Sequence, residues 1–192
     1  MTSLLLTYPT QTEIVIKMAS KEKNKSSKNA EKTLVLIKPD AMAKGLVGDV
    51  LTRLWETGLE LIGTKIVQVN KALAKEHYYH MREQAFFDEL IDFLQGKLHD
   101  NAPVVALVFC GKEAIKKIRE ATGATNPELA EPTSIRGALG RITTKGVFEN
   151  VIHASSDPGE AEREIKLWFK PDELLAQVYP TQEKSVKQRV WK

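Results

Sequence analysis

The chain of 192 residues has a single cysteine, Cys110, so no internal disulfide can form; its place in the apolar run PVVALVFC predicts a buried, inert thiol. That is compatible with a reducing cytoplasm, the expected location. No apolar run approaches the roughly 20 residues that cross a bilayer, so no membrane span is expected. The LLL near the start is shorter than the apolar region of a signal peptide and follows no basic residue, so secretion is not expected. Excess charge is also scarce. Of the formal charge of +3, two units come from residues 1–31, with five lysines against three glutamates, and +1 remains for the rest. A body so nearly neutral is not built to coat nucleic acid, because such binding neutralises many phosphates at once. Any anion site must be local. No internal repeat is visible.

What is present is an ordinary globular composition, 42% hydrophobic and 28% charged. A core of roughly 150 residues is large enough to fold without staples. Residues 1–31 are read as a disordered, lysine-rich N-terminal extension because ASKEKNKSSKNAE has no apolar periodicity to bury. Met18, ahead of that tract, offers a second start for translation. Residues 32–192 are read as the catalytic domain. TLVLIKPD is a buried strand stopped by Pro39, and residues 47–57 place Val47, Val50, Leu51, Leu54 and Trp55 at helical spacing before Gly58. LELIGTKIVQVN is a second strand, AKEHYYHMREQAFFDELIDFLQ one or two helices, PVVALVFC a third strand and GKEAIKKIREAT another helix. Residues 123–145, rich in Gly, Pro and Thr, are expected to be mostly loop, and loops that long are usually functional. VFENVIHAS is read as one strand. DPGEAEREIKLWF is a helix with Asp157 as N-cap, Pro158 at its first position and Glu160 completing a capping box. Strands separated by helices, with no hairpin in the middle, predict an α/β (α+β) sandwich of ferredoxin-like type, an antiparallel sheet with helices packed on it.

His153 sits where an apolar strand gives way to a capped helix, a common place for reacting groups. By itself such a histidine is more often an ordinary hydrogen-bonded residue. Glu164 shares a helix face with Ala161, Ile165 and Trp168. If that face is buried, the carboxylate needs a donor, and an imidazole N–H from His153 would serve, fixing the tautomer and freeing the other nitrogen to attack. If Glu164 lies at the edge of the stripe, it faces water. An attacking imidazole needs an electrophile cradled by cations and donors. Lys38, Arg119, Thr125 and Arg136 are candidates, although each alone reads as a surface group and spacing does not assemble them.

NVIHASSD (Asn150–Asp157) resembles the active-site signature of nucleoside diphosphate kinases, and TLVLIKPD is similar to that family's first strand. GLVGDVLTRL, KEHYYHM followed by AFF, the NP of TNPELAEP, SIRG and AEREIKLWF agree in order and spacing, from about Glu31 to about Val178. The resemblance implies a nucleotide-binding, ATP-binding transferase of nucleotide metabolism. It would move the γ-phosphate of a nucleoside triphosphate to a diphosphate by a ping-pong route through a phosphohistidine on His153. It also implies that Lys38, Tyr78, Arg119, Thr125, Arg136 and Asn150 surround the phosphates and sugar. Phe86 would stack on the base, with Val147 as the opposite wall. Ser155 and Glu164 would bind His153. Mg²⁺ would bridge the phosphate oxygens, with Asp157 as a further metal candidate, and the subunit would be a homo-oligomer, a hexamer. No membrane and no specific nucleic acid is expected as a partner.

Stacking on an aromatic face holds any base without reading its edge, which suits a broad nucleotide substrate range. Tyr78 is equally readable as core, since it shares an apolar face with Phe86 and Phe87. The chain departs from the family pattern at Ala138, where an acid is usual, and in apparent insertions near residues 95–101 and 139–145. A reading from another class, a ferredoxin-like nucleic-acid or partner-binding module, would need exposed aromatics interleaved with basic residues on paired strands, and these are not evident.

Overall fold

The uninterrupted apolar runs of the sequence form strands covered on both faces. The computed structural model describes residues 30–183; the extension expected to be disordered lies outside the described residues up to residue 29, as do residues 184–192. Glu31, expected to end that extension, is instead the first residue of the first strand, paired with Gly111. In chain order the elements are β1 (Glu31–Ile37), α1 (Pro39–Ala43), α2 (Val47–Trp55), β2 (Glu60–Val67), α3 (Lys71–His77), α4 (Phe87–Leu94) and β3 (Val104–Gly111). Then follow α5 (Ala114–Thr122), α6 (Ile135–Leu139), β4 (Arg141–Ile142), β5 (Phe148–Glu149), β6 (Ile152–Ala154) and α7 (Pro158–Trp168). Four strands form one sheet in the order β2-β3-β1-β6, each neighbouring pair antiparallel. This is the ferredoxin-like arrangement the alternation of strands and helices predicts, with α3 and α4 filling the connection between β2 and β3.

Side chains alternate across a strand, so each buried strand serves two cores. Leu34, Leu36, Ala106 and Val108 face Ala74 of α3, Ile91 and Leu94 of α4, and Ile165 and Trp168 of α7. Val35, Ile37, Val105 and Leu107 face Val50 and Leu54 of α2, Ala114 and Ile118 of α5, and Ile135 of α6. Helices on both faces explain why β1 and β3 read as continuous apolar runs and not as alternating ones. Cys110 is buried, as its neighbours predict, and burial pushes its thiol pKa up.

Three readings are corrected. The segment 147–155 is not one strand. Ile152 N–H donates to the Asn150 carbonyl at 2.6 Å, closing a three-residue turn around Val151, whose φ of 69° is a left-handed conformation that a β-branched residue rarely adopts. That turn separates β5 from β6. The long region after Gly123 is also more ordered than its composition suggests: it holds α6, the 3₁₀ turn Pro127–Leu129 and the β4–β5 hairpin. Gly137 permits α6 to form there, because a Cβ at this position would stand 2.1 Å from the Glu131 carbonyl oxygen. Finally, Asp157 caps α7 by accepting the Glu160 N–H at 3.0 Å, but no reciprocal box closes, because the Glu160 carboxylate engages Arg163 at 2.8 Å.

Candidate active site

Lys38 follows the last residue of β1, and antiparallel pairing of β1 with β6 sets Leu36 opposite His153. The first strand and the histidine are therefore brought together by sheet register, not by sequence proximity. The link continues past the strand end: Lys38 N–H donates to the Val151 carbonyl at 2.8 Å, and Val151 N–H donates to Asp40 Oδ2 at 2.8 Å. Both backbone groups of the strained Val151 are thus held by the segment around Lys38. Backbone strain of this kind costs of order 1–3 kcal/mol and persists only where surrounding contacts enforce it.

His153 is partly open, its side chain 17% exposed, while Glu164 opposite it is 2% exposed. The distance from His153 Nε2 to Glu164 Oε1 is 2.9 Å, and Ser155 Oγ donates to Glu164 Oε2 at 2.6 Å. Burial raises the Glu164 pKa, but the nearby His153 and the hydrogen bonds from His153 and Ser155 outweigh it, and the net shift is downward. An ionised carboxylate accepts only, so His153 must donate through Nε2–H, and Nδ1 carries the lone pair. Among the described residues no hydrogen bond engages Nδ1. Of the two readings of Glu164, the buried one holds.

His77, which the sequence did not single out, packs edge-on against His153 with ring centroids 4.5 Å apart. Its Nδ1 accepts from the Trp168 indole N–H at 3.2 Å. Desolvation holds the His77 pKa well below its usual value, with His153 and the cations Arg163 and Lys38 adding to the shift. It is neutral, so its 3.7 Å approach to Glu164 is not an ion pair, and Glu164 stays committed to His153. The signal for His77 was its position beside Tyr78, but an internal histidine has no pattern of its own. Tyr78 is 6% exposed and belongs to the core, while its ring also lies edge-on to His153 at 6.3 Å. Burial supports the core reading of Tyr78, with its ring beside His153.

The cationic side is built from separate elements. Lys38 Nζ donates to Asn150 Oδ1 at 2.7 Å, and Asn150 Nδ2 donates to the Thr125 carbonyl at 3.0 Å. Arg136, on α6, donates to the Gly123 carbonyl at 3.1 Å and to the Ile152 carbonyl, next to His153, at 2.8 Å. Its Nε is buried with no hydrogen-bond partner among the described residues. Desolvation and the neighbouring Arg136 lower the Lys38 pKa to about 8 despite the opposing Asp40. Desolvation likewise brings Arg136 to about 10 against the countering Tyr78. Cations crowded together and desolvated in this way would be stabilised by a nearby anion.

Arg119 is exposed on α5 and near enough to depress Arg136. The Thr125 side chain is exposed, as is Phe86, at 50%, just before α4. Val147 is half-buried at the hairpin turn, its N–H donating to Thr143 Oγ1 at 3.0 Å. Among the described residues no hydrogen bond, ion pair or ring contact joins Arg119, Phe86 or Val147 to His153. Ala138 is exposed.

The described residues contain one cluster with metal-ligand character, His77, His153 and Glu164. Two imidazoles and a carboxylate already engaged with one another do not suit Mg²⁺, which prefers an octahedral shell of oxygens. The Asp157 carboxylate is occupied by the Glu160 N–H and by Ser156 Oγ at 2.7 Å. Neither set of groups, among the described residues, suits a resident Mg²⁺. No helix among the described residues is long and apolar enough to cross a membrane.

With this geometry in view, comparison with known proteins is specific. The family model described as nucleoside diphosphate kinase matches residues 31–174. The nucleoside diphosphate kinase of Thermococcus kodakarensis is 42% identical over 150 residues, 78% of this chain and 83% of the relative. That of Archaeoglobus fulgidus is 43% identical over 145 residues, 76% and 90% of the two chains. Among solved structures, a transition-state mimic of the Borrelia burgdorferi nucleoside diphosphate kinase with bound vanadate and ADP superposes with a TM-score of 0.69 at 37% identity. It covers 79% of this chain and 93% of that one. The Halobacterium salinarum enzyme in complex with CDP gives 0.69 at 39% identity, covering 76% and 91%.

Proposed function

The chain belongs to the nucleoside diphosphate kinase family, and from that premise we propose that its nucleotide phosphotransfer runs through His153 Nδ1 in two half-reactions. The observation that carries this reading is the pairing of Nε2 with the buried Glu164, which leaves Nδ1 as the only lone pair of the ring. In the first half-reaction the Nδ1 lone pair attacks the γ-phosphorus of a nucleoside triphosphate, the N–P bond forms, and the bond to the β,γ-bridging oxygen breaks. The nucleoside diphosphate departs with that electron pair. A second diphosphate then attacks the phosphohistidine, the N–P bond breaks, and the imidazole is restored. No proton needs to leave Nδ1, and Nε2 keeps its proton, donated to the Glu164 carboxylate, throughout.

Lys38, Asn150, Arg136, Arg119 and Thr125 would hold the phosphates, the guanidinium groups bidentately and the lysine as a point charge. Exposed Phe86 would stack on the base, with Val147 facing it. Mg²⁺ enters with the nucleotide, as part of the substrate, and neutralises phosphate charge. We place the enzyme in the cytoplasm as a homo-oligomer, a hexamer. A nucleic-acid-binding module is not favoured, because the family match spans the whole set of candidate residues.

The experiment is a single-turnover one. Mixed with γ-labelled ATP and Mg²⁺ and no acceptor, the protein should take up about one acid-labile, base-stable phosphate per chain and release ADP in equal amount. A reaction needing both nucleotides bound together before any ADP appears would refute the ping-pong route. The Lys38 pKa adds a pH dependence. Below about pH 8 the ammonium is charged and the cradle complete; above it, the first-nucleotide kcat/KM should fall about tenfold per pH unit. Stability moves oppositely: between about 8 and 10.5 the unfolded chain binds the proton the folded one has lost, so unfolding becomes harder as pH rises. A flat kcat/KM to pH 9.5 would contradict the combination of a lowered Lys38 pKa and a need for its charge in the cradle.

A further inference from the structure

The two segments that the sequence reads as apparent insertions meet at one buried carboxylate. Glu149, the last residue of β5, is 6% exposed. It accepts hydrogen bonds from three segments: Lys44 Nζ, at the end of α1, at 2.5 Å; His99 Nε2, in the 95–101 insertion, at 3.0 Å; and Arg141 Nε, in the 139–145 insertion. Burial alone would raise its pKa, yet the hydrogen bonds from Arg141, Lys44 and His99 bring it down to about 2. The carboxylate is therefore ionised at any working pH. Removing its charge would strand the groups gathered on it.

The contacts continue from this hub into the cradle along two independent routes. By the chain itself, Glu149 is joined to Asn150, whose Oδ1 accepts from Lys38 Nζ at 2.7 Å. By side-chain packing, the His99 ring lies edge-on to Phe93 with centroids 4.9 Å apart, and Lys38 Nζ stands 5.5 Å from the centroid of that same Phe93 ring. Glu149, His99, Phe93, Lys38 and Asn150 thus form a closed ring, and the ammonium is supported from both sides. Lys44 adds a third constraint, since it ends the short helix that begins immediately after Lys38.

The geometry points to Glu149 as a positioning residue for Lys38, with the two insertions acting as a clamp that fixes the ammonium against the transferred phosphate. This rests on the placement of Lys38 in the phosphate cradle under the proposed function. A flexible lysine with four rotatable bonds loses much entropy when fixed, and a cradle that fixes it beforehand spares the transition state that cost. The insertions would then sharpen the chemistry, although neither reaches His153.

Single-turnover phosphorylation by labelled ATP separates placement from folding. Its amplitude counts molecules that are folded and carry an intact nucleophile, and its rate reads the geometry around the phosphate. Glu149→Gln keeps the shape but presents an amide to cationic donors; the expected result is a rate slowed roughly tenfold at undiminished amplitude, well below the melting temperature. His99→Ala, which leaves the Lys44 and Arg141 pairs in place, should slow it several-fold and decides the matter if Glu149→Gln does not fold. Because the clamp acts through Lys38, neither substitution should slow the rate further in a Lys38→Ala background, a coupling that a general structural role would not give. If Lys38→Ala is slow but both clamp variants keep the full rate, or slow it equally in the two backgrounds, the clamp is overturned and the cradle stands. If Lys38→Ala keeps the full rate, the cradle assignment itself fails and the clamp with it.

Discussion

His153→Ala should abolish covalent labelling by γ-labelled ATP and reduce nucleotide exchange by at least about four orders of magnitude, since the variant has no other route through a phosphoenzyme. Loss of the ring removes its edge contacts with His77 and Tyr78, so a modest fall in stability, about 1–2 kcal/mol, is expected alongside. The fold should survive, because the side chain is partly open and Glu164 retains Ser155 as a donor. Quench-flow labelling with a parallel thermal melt distinguishes the two effects. Stoichiometric label on a folded alanine variant would place the nucleophile elsewhere.

Glu164→Gln should reduce kcat/KM about a hundredfold while the protein stays folded. The carboxylate receives two donors, His153 Nε2–H and the Ser155 hydroxyl. A glutamine has one oxygen for the pair and turns an N–H₂ toward the other, so either the histidine tautomer or the serine bond is lost. It also removes the negative charge that steadies the positive ring formed as Nδ1 takes the phosphoryl group. The pH dependence of stability offers a second readout. The folded pKa of Glu164 lies below its ordinary value of 4.5, so its contribution is complete above that value and lost as pH falls through the folded pKa. Melting temperatures of the parent should therefore fall more steeply below pH 4.5 than those of Glu164→Gln. Parallel acid limbs, with full activity in the variant, would mean that Glu164 does not orient His153.

Lys38, Asn150, Arg136 and His153 could each be named from the sequence, but only as members of motifs scattered over more than a hundred positions. Spacing along the chain contains no statement that Lys38 meets Asn150. Their contact depends on β6 pairing with β1, a long-range choice made by the two-sided core. Glu164 was half-legible. The helical repeat put it on the stripe with Ile165 and Trp168, whereas its depth depended on how closely α7 lies on the sheet. Phe86, Arg119 and Val147 remain at the edge of the structure's direct contacts, as residues that would serve a ligand and not the fold.

Apolar patterning by itself determined the strands β1 and β3, the amphipathic helices and the cap of α7, because these follow from local periodicity and from groups within four residues. The small net charge, for its part, argued against a broad anion-binding surface. Only the tertiary structure decided that Val151 would take a left-handed turn, that His77 would sit neutral beside His153, and that His99 and Arg141 would converge on Glu149. Those outcomes are set by burial and by hydrogen-bond partners from distant segments. A carboxylate or an imidazole acquires its charge state and its role from the groups that fold around it, and one-dimensional order does not specify that neighbourhood.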